Sequence, residues 1–351
     1  MPREMRSSVL VVTLALFVAV AGGGAVATAD VAAAGEEFPV TATDGTGTEV
    51  TLEEPPDEIV VTHASSAQIA HDIGAWDRVT GAPVEPFTAY LDDYDEPTDV
   101  TADGGPDVEV IVDLDPDMVI MGHVADPETA ETLRDNGLTV FVEPSPTTID
   151  DIMSTVETVG QLSGEPTGAG NTVADMEEAL AAVDERTAAS DRDLLVYYAM
   201  GDGWTTGPGT FQADLIERAG ADNLGTAAEL EAPWDTVSPE TVLELDPDWI
   251  IFDDSHDEPP IAEALNETTA MQTNQTHQVD ANLFNQAGPR VIQPLQSLVE
   301  AFHPAVPTDD SAVDAATPDD QATALPGFGV VVALVATALT SLVLSRRNAH
   351  R

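Results

Sequence analysis

The 351-residue sequence contains no cysteine, which excludes disulfide bonds, thiolate catalysis and lipid attachment through a cysteine. It also contains no lysine, so its 11 basic residues are all arginines, set against 64 acidic residues. The formal net charge of −53 argues against nucleic acid or an anionic membrane surface as a partner. Such an acidic surface is typical of a halophile, because molar salt screens charge repulsion to about 3 Å.

Two common hydrolase signatures are also missing, the G-x-S-x-G elbow and the H-E-x-x-H zinc pair. Their absence disfavours a secreted hydrolase. The sequence therefore predicts a protein that is not an enzyme and that needs no cofactor.

The N-terminus has the pattern of a secretory signal peptide, predicted over residues 1–29. Arg3 and Arg6 precede an apolar stretch, and Ala27-Thr28-Ala29 fits an A-x-A cleavage site. A permanent membrane anchor is the alternative, disfavoured by the short apolar core.

The C-terminus predicts a tether. Residues 304–324 form an acidic Thr/Pro-rich stalk that is too polar to fold, and residues 325–351 follow as a transmembrane or sorting signal. The run Phe328–Leu344 is uncharged, and arginines follow it. This end resembles the PGF-type sorting signal of archaeal surface proteins, with Pro326-Gly327-Phe328 as the motif. The resemblance implies that the helix is removed and the new end joined to a lipid. Either way, we expect the body outside the cell, anchored at its C-terminus.

Between these ends, strand and helix patterns alternate in two regions, 38–147 and 191–303, which the helical segment 148–190 connects. Strand–helix–strand units of this kind give parallel sheets, and their ligands bind at the carboxyl ends of the strands. The sequence thus predicts an α/β protein with two Rossmann-like lobes and a ligand cleft between them. A surface-layer module fits the stalk but not this body, since such modules are many-stranded sandwiches.

One passage occurs twice, once in each predicted lobe. DLDPDMVIMGH covers residues 113–123 and ELDPDWIIFDDSH covers residues 244–256. A glutamate precedes the shared Asp-Pro by the same spacing in both, Glu109 in the first and Glu240 in the second. The duplication favours two similar lobes that close on one ligand.

Several candidate ligand contacts follow predicted strands: His63, His123, Met200 and His256. The histidines could contact a bound chelate at its edge or axially. Together with Asp254 they could instead bind a divalent metal directly, since neutral imidazole suits zinc, nickel and copper. A lone histidine at such a position is more often a hydrogen-bonded loop residue, and the spacing leaves the alternatives open.

Serines and aromatic residues near these strand ends add candidates. Ser65 and Ser66 begin the helix after His63, and either can cap it. The aromatic candidates lie in polar loops of both lobes, and such side chains stack well on flat macrocycles. They are Phe87, Tyr90, Tyr94, Trp204 and Trp234. Packing of these rings against their own loops is the alternative.

With these pieces in place, residues 38–303 resemble the ABC-transporter solute-binding proteins for cobalamin and ferric siderophores. The resemblance is carried by the duplicated passage and by FPVTATDGTG, PPDEIVVTHASSAQIAHDIGA, TGPGTFQADLIERAGADNLGT, APWDTVSPETVLELDPDWIIF and NLFNQAGPRV. It implies two lobes joined by a long rigid helix and a monomer that delivers a captured metal chelate to a membrane permease and its ATPase. A direct divalent-metal or haem binder of the same transport class is the alternative.

The resemblance also implies roles for single residues. Glu109 and Glu240 correspond to acidic residues that meet arginines of the permease, and two such carboxylates would steer and orient docking. Arg290 is expected to hold the last helix to the cleft wall and is a weak ligand candidate. Pro294 departs from the family, because it falls in a helix that the family continues, and we expect it to kink that helix or delay its start.

Overall fold

The protein is described here from a computed structural model, which covers residues 38–84, 88, 90–91, 97–102, 105–190 and 192–304. Phe87, Tyr94, the predicted signal peptide and the predicted C-terminal signal lie outside the described residues, as does nearly all of the predicted stalk. No helix among the described residues is long and apolar enough to cross a membrane.

The N-terminal lobe, residues 38–147, is built on a parallel sheet of five strands in the order β5-β4-β3-β8-β9. Two small antiparallel hairpins, β1–β2 and β6–β7, accompany it. The strands are β1 (Val40–Thr43), β2 (Glu49–Leu52), β3 (Ile59–Val61), β4 (Val79–Ala82), β5 (Thr98–Asp99), β6 (Thr101–Ala102), β7 (Gly105–Pro106), β8 (Met118–Met121) and β9 (Val140–Val142). The helices are α1 (Ala64–Asp72), α2 (Val108–Leu114) and α3 (Pro127–Asp135).

Two connecting helices follow, α4 (Ile149–Ser163) and α5 (Pro166–Ala188). The C-terminal lobe, residues 192–303, has a parallel sheet of four strands in the order β12-β10-β14-β15 and a hairpin, β11–β13. Its strands are β10 (Leu195–Tyr198), β11 (Trp204–Thr206), β12 (Asp222–Asn223), β13 (Trp234–Thr236), β14 (Trp249–Asp253) and β15 (Thr276–Val279). Its helices are α6 (Phe211–Arg218), α7 (Leu224–Ala227), α8 (Pro239–Leu245), α9 (Thr269–Gln272), α10 (Ala281–Phe284) and α11 (Ile292–Phe302).

The connector is two helices packed on each other, where the resemblance implied a single long one. Gly164 ends α4 in the left-handed conformation with φ 77°, and Pro166 then starts α5. The two helices approach closely at Gly160, where a Cβ atom would lie 2.2 Å from the Cβ of Ala169. A larger residue than glycine at position 160 would force the helices apart.

Each connecting helix contributes to the cores of both lobes. The first turn of α4 packs into the core of the C-terminal lobe and its later turns pack into that of the N-terminal lobe. Helix α5 does the reverse, with Val173 in the N-terminal core and Leu180 in the C-terminal core. Because the interior is close-packed, this arrangement resists large rotations of one lobe against the other.

The duplicated passage folds the same way twice. Helices α2 and α8 both end at an aspartate with positive φ, 48° at Asp115 and 48° at Asp246. Two residues on, Asp117 accepts hydrogen bonds from the N–H groups of residues 57 and 58, and Asp248 accepts one from that of Leu195. In each lobe this second aspartate therefore ties the start of one parallel strand to the chain entering its neighbour. That structural task accounts for the repeated Asp-Pro-Asp.

Pro294 is accommodated at the start of the last helix. A single 3₁₀ turn, Pro289–Val291, precedes α11, and Pro294 lies in the first turn of α11. Proline is tolerated there because the first N–H groups of a helix have no intrahelical acceptor.

Candidate functional site

A cavity of about 500 Å³ lies between the two lobes. The N-terminal lobe contributes the loops after β8 and β9, and the C-terminal lobe contributes the start of α6 and the segments around Met200, Trp234 and Asn285. Both walls begin at carboxyl ends of parallel strands, which is where ligands bind in such sheets. This inter-lobe cavity is the candidate ligand site.

His123 lines the inter-lobe cavity from the N-terminal lobe and packs against His63, with ring centroids 6.2 Å apart in an edge-on arrangement. Gly122 permits this approach, since a Cβ atom there would lie 2.5 Å from that of His63. Burial, and to a smaller extent the His63 ring, lowers the pKa of His123 to about 4, and burial also lowers the pKa of His63. Both rings are therefore neutral at pH 7. His123 Nδ1 is buried and has no hydrogen-bond partner among the described residues.

The C-terminal wall of the inter-lobe cavity is formed by Trp234 and by the first turn of α6. Thr210 caps this helix by accepting a hydrogen bond from the N–H of Ala213 at 3.1 Å, which fixes Phe211 and Gln212 at the cavity. Gln212 is 3% exposed, and its Oε1 has no partner among the described residues. Phe211 and Gln212 were not predicted from the sequence. The only signal was their place at a helix start after a glycine-rich loop.

Two further pockets adjoin the inter-lobe cavity, one in each lobe. The N-terminal pocket, about 510 Å³, is lined by His63 and shares Val124 with the inter-lobe cavity. The C-terminal pocket, about 600 Å³, is lined by His256 and Trp204 and shares Met200 with it. Val124, Met200 and Trp204 are also among the large apolar side chains most exposed on the described surface. The predicted histidines are thus distributed over three adjoining spaces.

The direct-metal alternative lacks a formed site. Among the described residues there is no group of three or more His, Asp or Glu side chains arranged to hold a metal ion. His256 lies beside Asp253 and Ser255 in a different pocket from His63 and His123. Asp254 is exposed, and its carboxylate accepts a hydrogen bond from the N–H of Ala281 at 2.9 Å. The structure therefore does not bring the predicted set together.

Ser65 and Ser66 are fully buried at the start of α1, so they do not face the cavities. The expectation that one of them caps the helix is also wrong. The side chain of His63 is the cap, and its Nδ1 pairs with the Ser65 hydroxyl at 2.9 Å. A histidine side chain can replace the usual serine because its ring nitrogen accepts a hydrogen bond.

Tyr90 and Arg290 join the two lobes rather than line the inter-lobe cavity. Arg290, from the C-terminal lobe, donates two hydrogen bonds to the Asp72 carboxylate, at 2.7 and 3.0 Å, and one to the Tyr90 carbonyl at 3.2 Å. The side-chain amide N–H of Gln68 donates a hydrogen bond to the Tyr90 hydroxyl at 2.9 Å. The Gln68 side-chain oxygen in turn accepts a hydrogen bond from the backbone N–H of Arg290 at 2.8 Å. This set, Gln68, Asp72, Tyr90 and Arg290, is called the lobe strap below.

Glu109 and Glu240 occupy equivalent places. Each lies in the first turn of its short helix, α2 or α8, and each is exposed. Neither forms an ion pair in the described part of the chain. Their placement leaves both carboxylates available to a partner.

The fold and the inter-lobe cavity define a class, the two-lobed solute-binding proteins. Residues 59–279 match the family model described as Periplasmic binding protein, and the chain belongs to this family. The predicted α/β fold with two lobes is confirmed.

The relatives of this chain are binding proteins, in agreement with the prediction that it is not an enzyme. A cobalamin-binding protein of Halobacterium salinarum is 34% identical over 280 residues, which cover 76% of this chain and 74% of that protein. Two solved structures share the fold. The periplasmic heme-binding protein of Roseiflexus has a TM-score of 0.62 and 22% identity, covering 70% of this chain and 98% of that one. The periplasmic vitamin B12-binding protein of Vibrio cholerae has a TM-score of 0.59 and 20% identity, covering 70% and 96%.

Proposed function

We propose that this protein captures cobalamin, or a closely similar metal chelate, in the inter-lobe cavity and delivers it to an ABC permease. The observation that carries the proposal is a cavity whose walls come from both lobes and include Trp234 and Phe211. The similarity to a cobalamin-binding protein over three quarters of the chain supports the choice of ligand. The adjoining pockets add room for the periphery of a large chelate.

Capture needs no chemistry, only a preformed surface. The connecting helices are embedded in both cores, and the lobe strap fixes one lobe to the other. A cleft held in place this way loses little conformational entropy when it binds its ligand. Flat aromatic side chains such as Trp234 suit the face of a corrin ring.

Delivery and location complete the proposal. Glu109 and Glu240 are the proposed contacts to permease arginines, and an ATPase drives the permease. The signal peptide would direct export, and the C-terminal anchor, retained or replaced by lipid, would hold the protein at the outer face of the cell membrane. Both segments lie outside the described residues, so this part of the proposal depends on their sequence patterns.

Calorimetric titration in molar salt tests the ligand directly. We expect cyanocobalamin to bind one per chain with a dissociation constant in the micromolar range or below. Trp234→Ala should weaken binding about tenfold, the loss of one aromatic contact. Trp249→Phe is a matched control, because Trp249 packs on Phe302 in the C-terminal core. If cobalamin, ferric siderophores and haem all fail to bind below millimolar concentration, the proposal is wrong.

A further inference from the structure

The arginines of the two lobes are all engaged in structural contacts. Residues 38–303 contain six arginines and no lysine. Arg290 belongs to the lobe strap, and Arg218 binds the carboxylates of Asp214 and Asp150. The remaining four donate to backbone carbonyls or carboxylates away from the inter-lobe cavity, and they are Arg78, Arg134, Arg186 and Arg192. None of the six lines the inter-lobe cavity as described.

The cavity wall also has no carboxylate among its described residues. In a chain of net charge −53, a surface without charge is unusual. The one titratable group in the wall, His123, is kept neutral because burial lowers its pKa to about 4. An anion in this cavity would lose its hydration and gain no ion pair, which is strongly unfavourable.

Neutral polar groups line the cavity instead, and one of them on each wall is buried and unpaired. His123 Nδ1 and Gln212 Oε1 are both buried without a partner among the described residues. An unpaired buried polar group is costly and is usually satisfied by a ligand or by water. The amide oxygen of Gln212 can only accept a hydrogen bond, so its partner must be an N–H or O–H group.

We infer that the inter-lobe cavity selects a chelate whose cavity-facing part is uncharged and bears amide or hydroxyl groups, and that His123 and Gln212 are its specificity-determining residues. This inference rests on the proposed function and narrows it. Corrin side-chain amides have the required chemistry. The carboxylates of haem and the anionic oxygens of catecholate siderophores do not.

The test compares two ligands that differ by a single charge. Cyanocobalamin and its monocarboxylic acid, in which one side-chain amide is a carboxylate, are titrated into the full chain in 1 M salt or more. The screening length is then about 3 Å, so the overall negative charge of the protein contributes little. We expect the acid to bind at least tenfold more weakly. Equal affinity for the two would overturn the inference.

Placing a cation at the rim of the cavity should weaken this preference. Ser145 is exposed and lines the inter-lobe cavity, so Ser145→Arg should at least halve the discrimination between the two ligands. Ser154→Arg adds the same charge on the exposed side of α4, outside the cavity, and should leave the discrimination unchanged. An identical effect of both substitutions would contradict a local origin of the selectivity.

A second pair of variants tests the proposed hydrogen bond from the ligand to Gln212. Gln212→Leu should weaken cyanocobalamin binding about tenfold. Gln286→Leu is the control, because Oε1 of Gln286 is also buried without a partner in the described chain, but this residue does not line the cavity. If wild-type protein binds no cobalamin, the proposed function itself is wrong. If wild-type protein binds and Gln212→Leu and His123→Phe bind equally well, only the present inference fails.

Discussion

Replacing Glu143 by glutamine is expected to stabilise the protein increasingly as pH rises from 5 to 8. Glu143 follows β9 and is only 3% exposed. Burial raises its pKa from 4.5 to about 8, opposed weakly by the nearby Ser66 hydroxyl. Neither Oε1 of Glu143 nor that hydroxyl meets hydrogen-bond geometry with any described residue. The folded protein therefore holds a proton on a carboxyl group that the unfolded chain releases.

The sign and size of the effect follow from this difference. Between pH 4.5 and about 8 the folded state binds more protons than the unfolded state, so stability falls as pH rises. Each pH unit in this range costs about 1.4 kcal/mol. Glutamine cannot ionise, so the gain in unfolding free energy for Glu143→Gln should be about 1 kcal/mol at pH 5 and on the order of 4 kcal/mol at pH 8.

Urea denaturation followed by tryptophan fluorescence, in constant molar salt at several pH values, measures this gain. The difference in unfolding free energy between variant and wild type at each pH cancels the contribution of the other titrating groups. Glu178→Gln, on the exposed side of α5, is the control and should change stability by less than about 0.5 kcal/mol throughout. A Glu143→Gln difference that stays constant across the pH range would refute the reasoning from burial.

Three further predictions concern ion pairs and docking. Burial opposes the charge of Asp44, but hydrogen bonds from Thr46, Thr48 and Val142 outweigh this effect and lower the pKa of Asp44. The contribution of Asp44 to folding stability is therefore fully present above the ordinary pKa of aspartate and is lost as pH falls through the lowered pKa. Asp44→Asn, which removes the partly buried ion pair with Arg134, should cost about 3 kcal/mol at pH 7 by urea denaturation, and this cost should decrease as pH falls through the lowered pKa. An unchanged midpoint at pH 7 would contradict this prediction. A double-mutant cycle with Arg290→Leu and Asp72→Leu should give a coupling energy of at least about 1 kcal/mol, and strict additivity would show that this ion pair of the lobe strap contributes nothing. Replacing Glu109 and Glu240 by glutamine should leave cobalamin affinity unchanged and reduce stimulation of the permease ATPase; unchanged stimulation would exclude them as docking residues.

Much of the fold could be predicted because it depends on local periodicity. Apolar residues at helical spacing marked the connecting segment as helical, and the break between its two helices falls at Gly164 and Pro166, residue types that end and start helices. Short apolar runs followed by helices indicated parallel strands, and these form both sheets. The duplicated passage indicated two similar lobes, since its turn chemistry is set by residues close together in sequence.

The site was harder to predict because burial and neighbours are set by tertiary packing. Nothing local distinguishes Trp234, at the inter-lobe cavity, from Trp204, which is 46% exposed at a pocket of one lobe. Ser65 and Ser66 stand at a helix start in the sequence, yet both are fully buried in the folded chain. In the sequence, Gln212 looks like any polar residue of an amphipathic helix, and only the folded structure places it at the inter-lobe cavity. The predicted ligand contacts therefore remain predictions, and the structure shows which of them line the inter-lobe cavity and which line the adjoining pockets.

The most direct test of the central claim is a crystal structure of the protein with cyanocobalamin. We predict that the corrin ring lies between the lobes, against Trp234 on one side and the loop bearing His123 on the other. Binding confined to the C-terminal pocket around His256, or to an outer surface of either lobe, would contradict capture between the lobes.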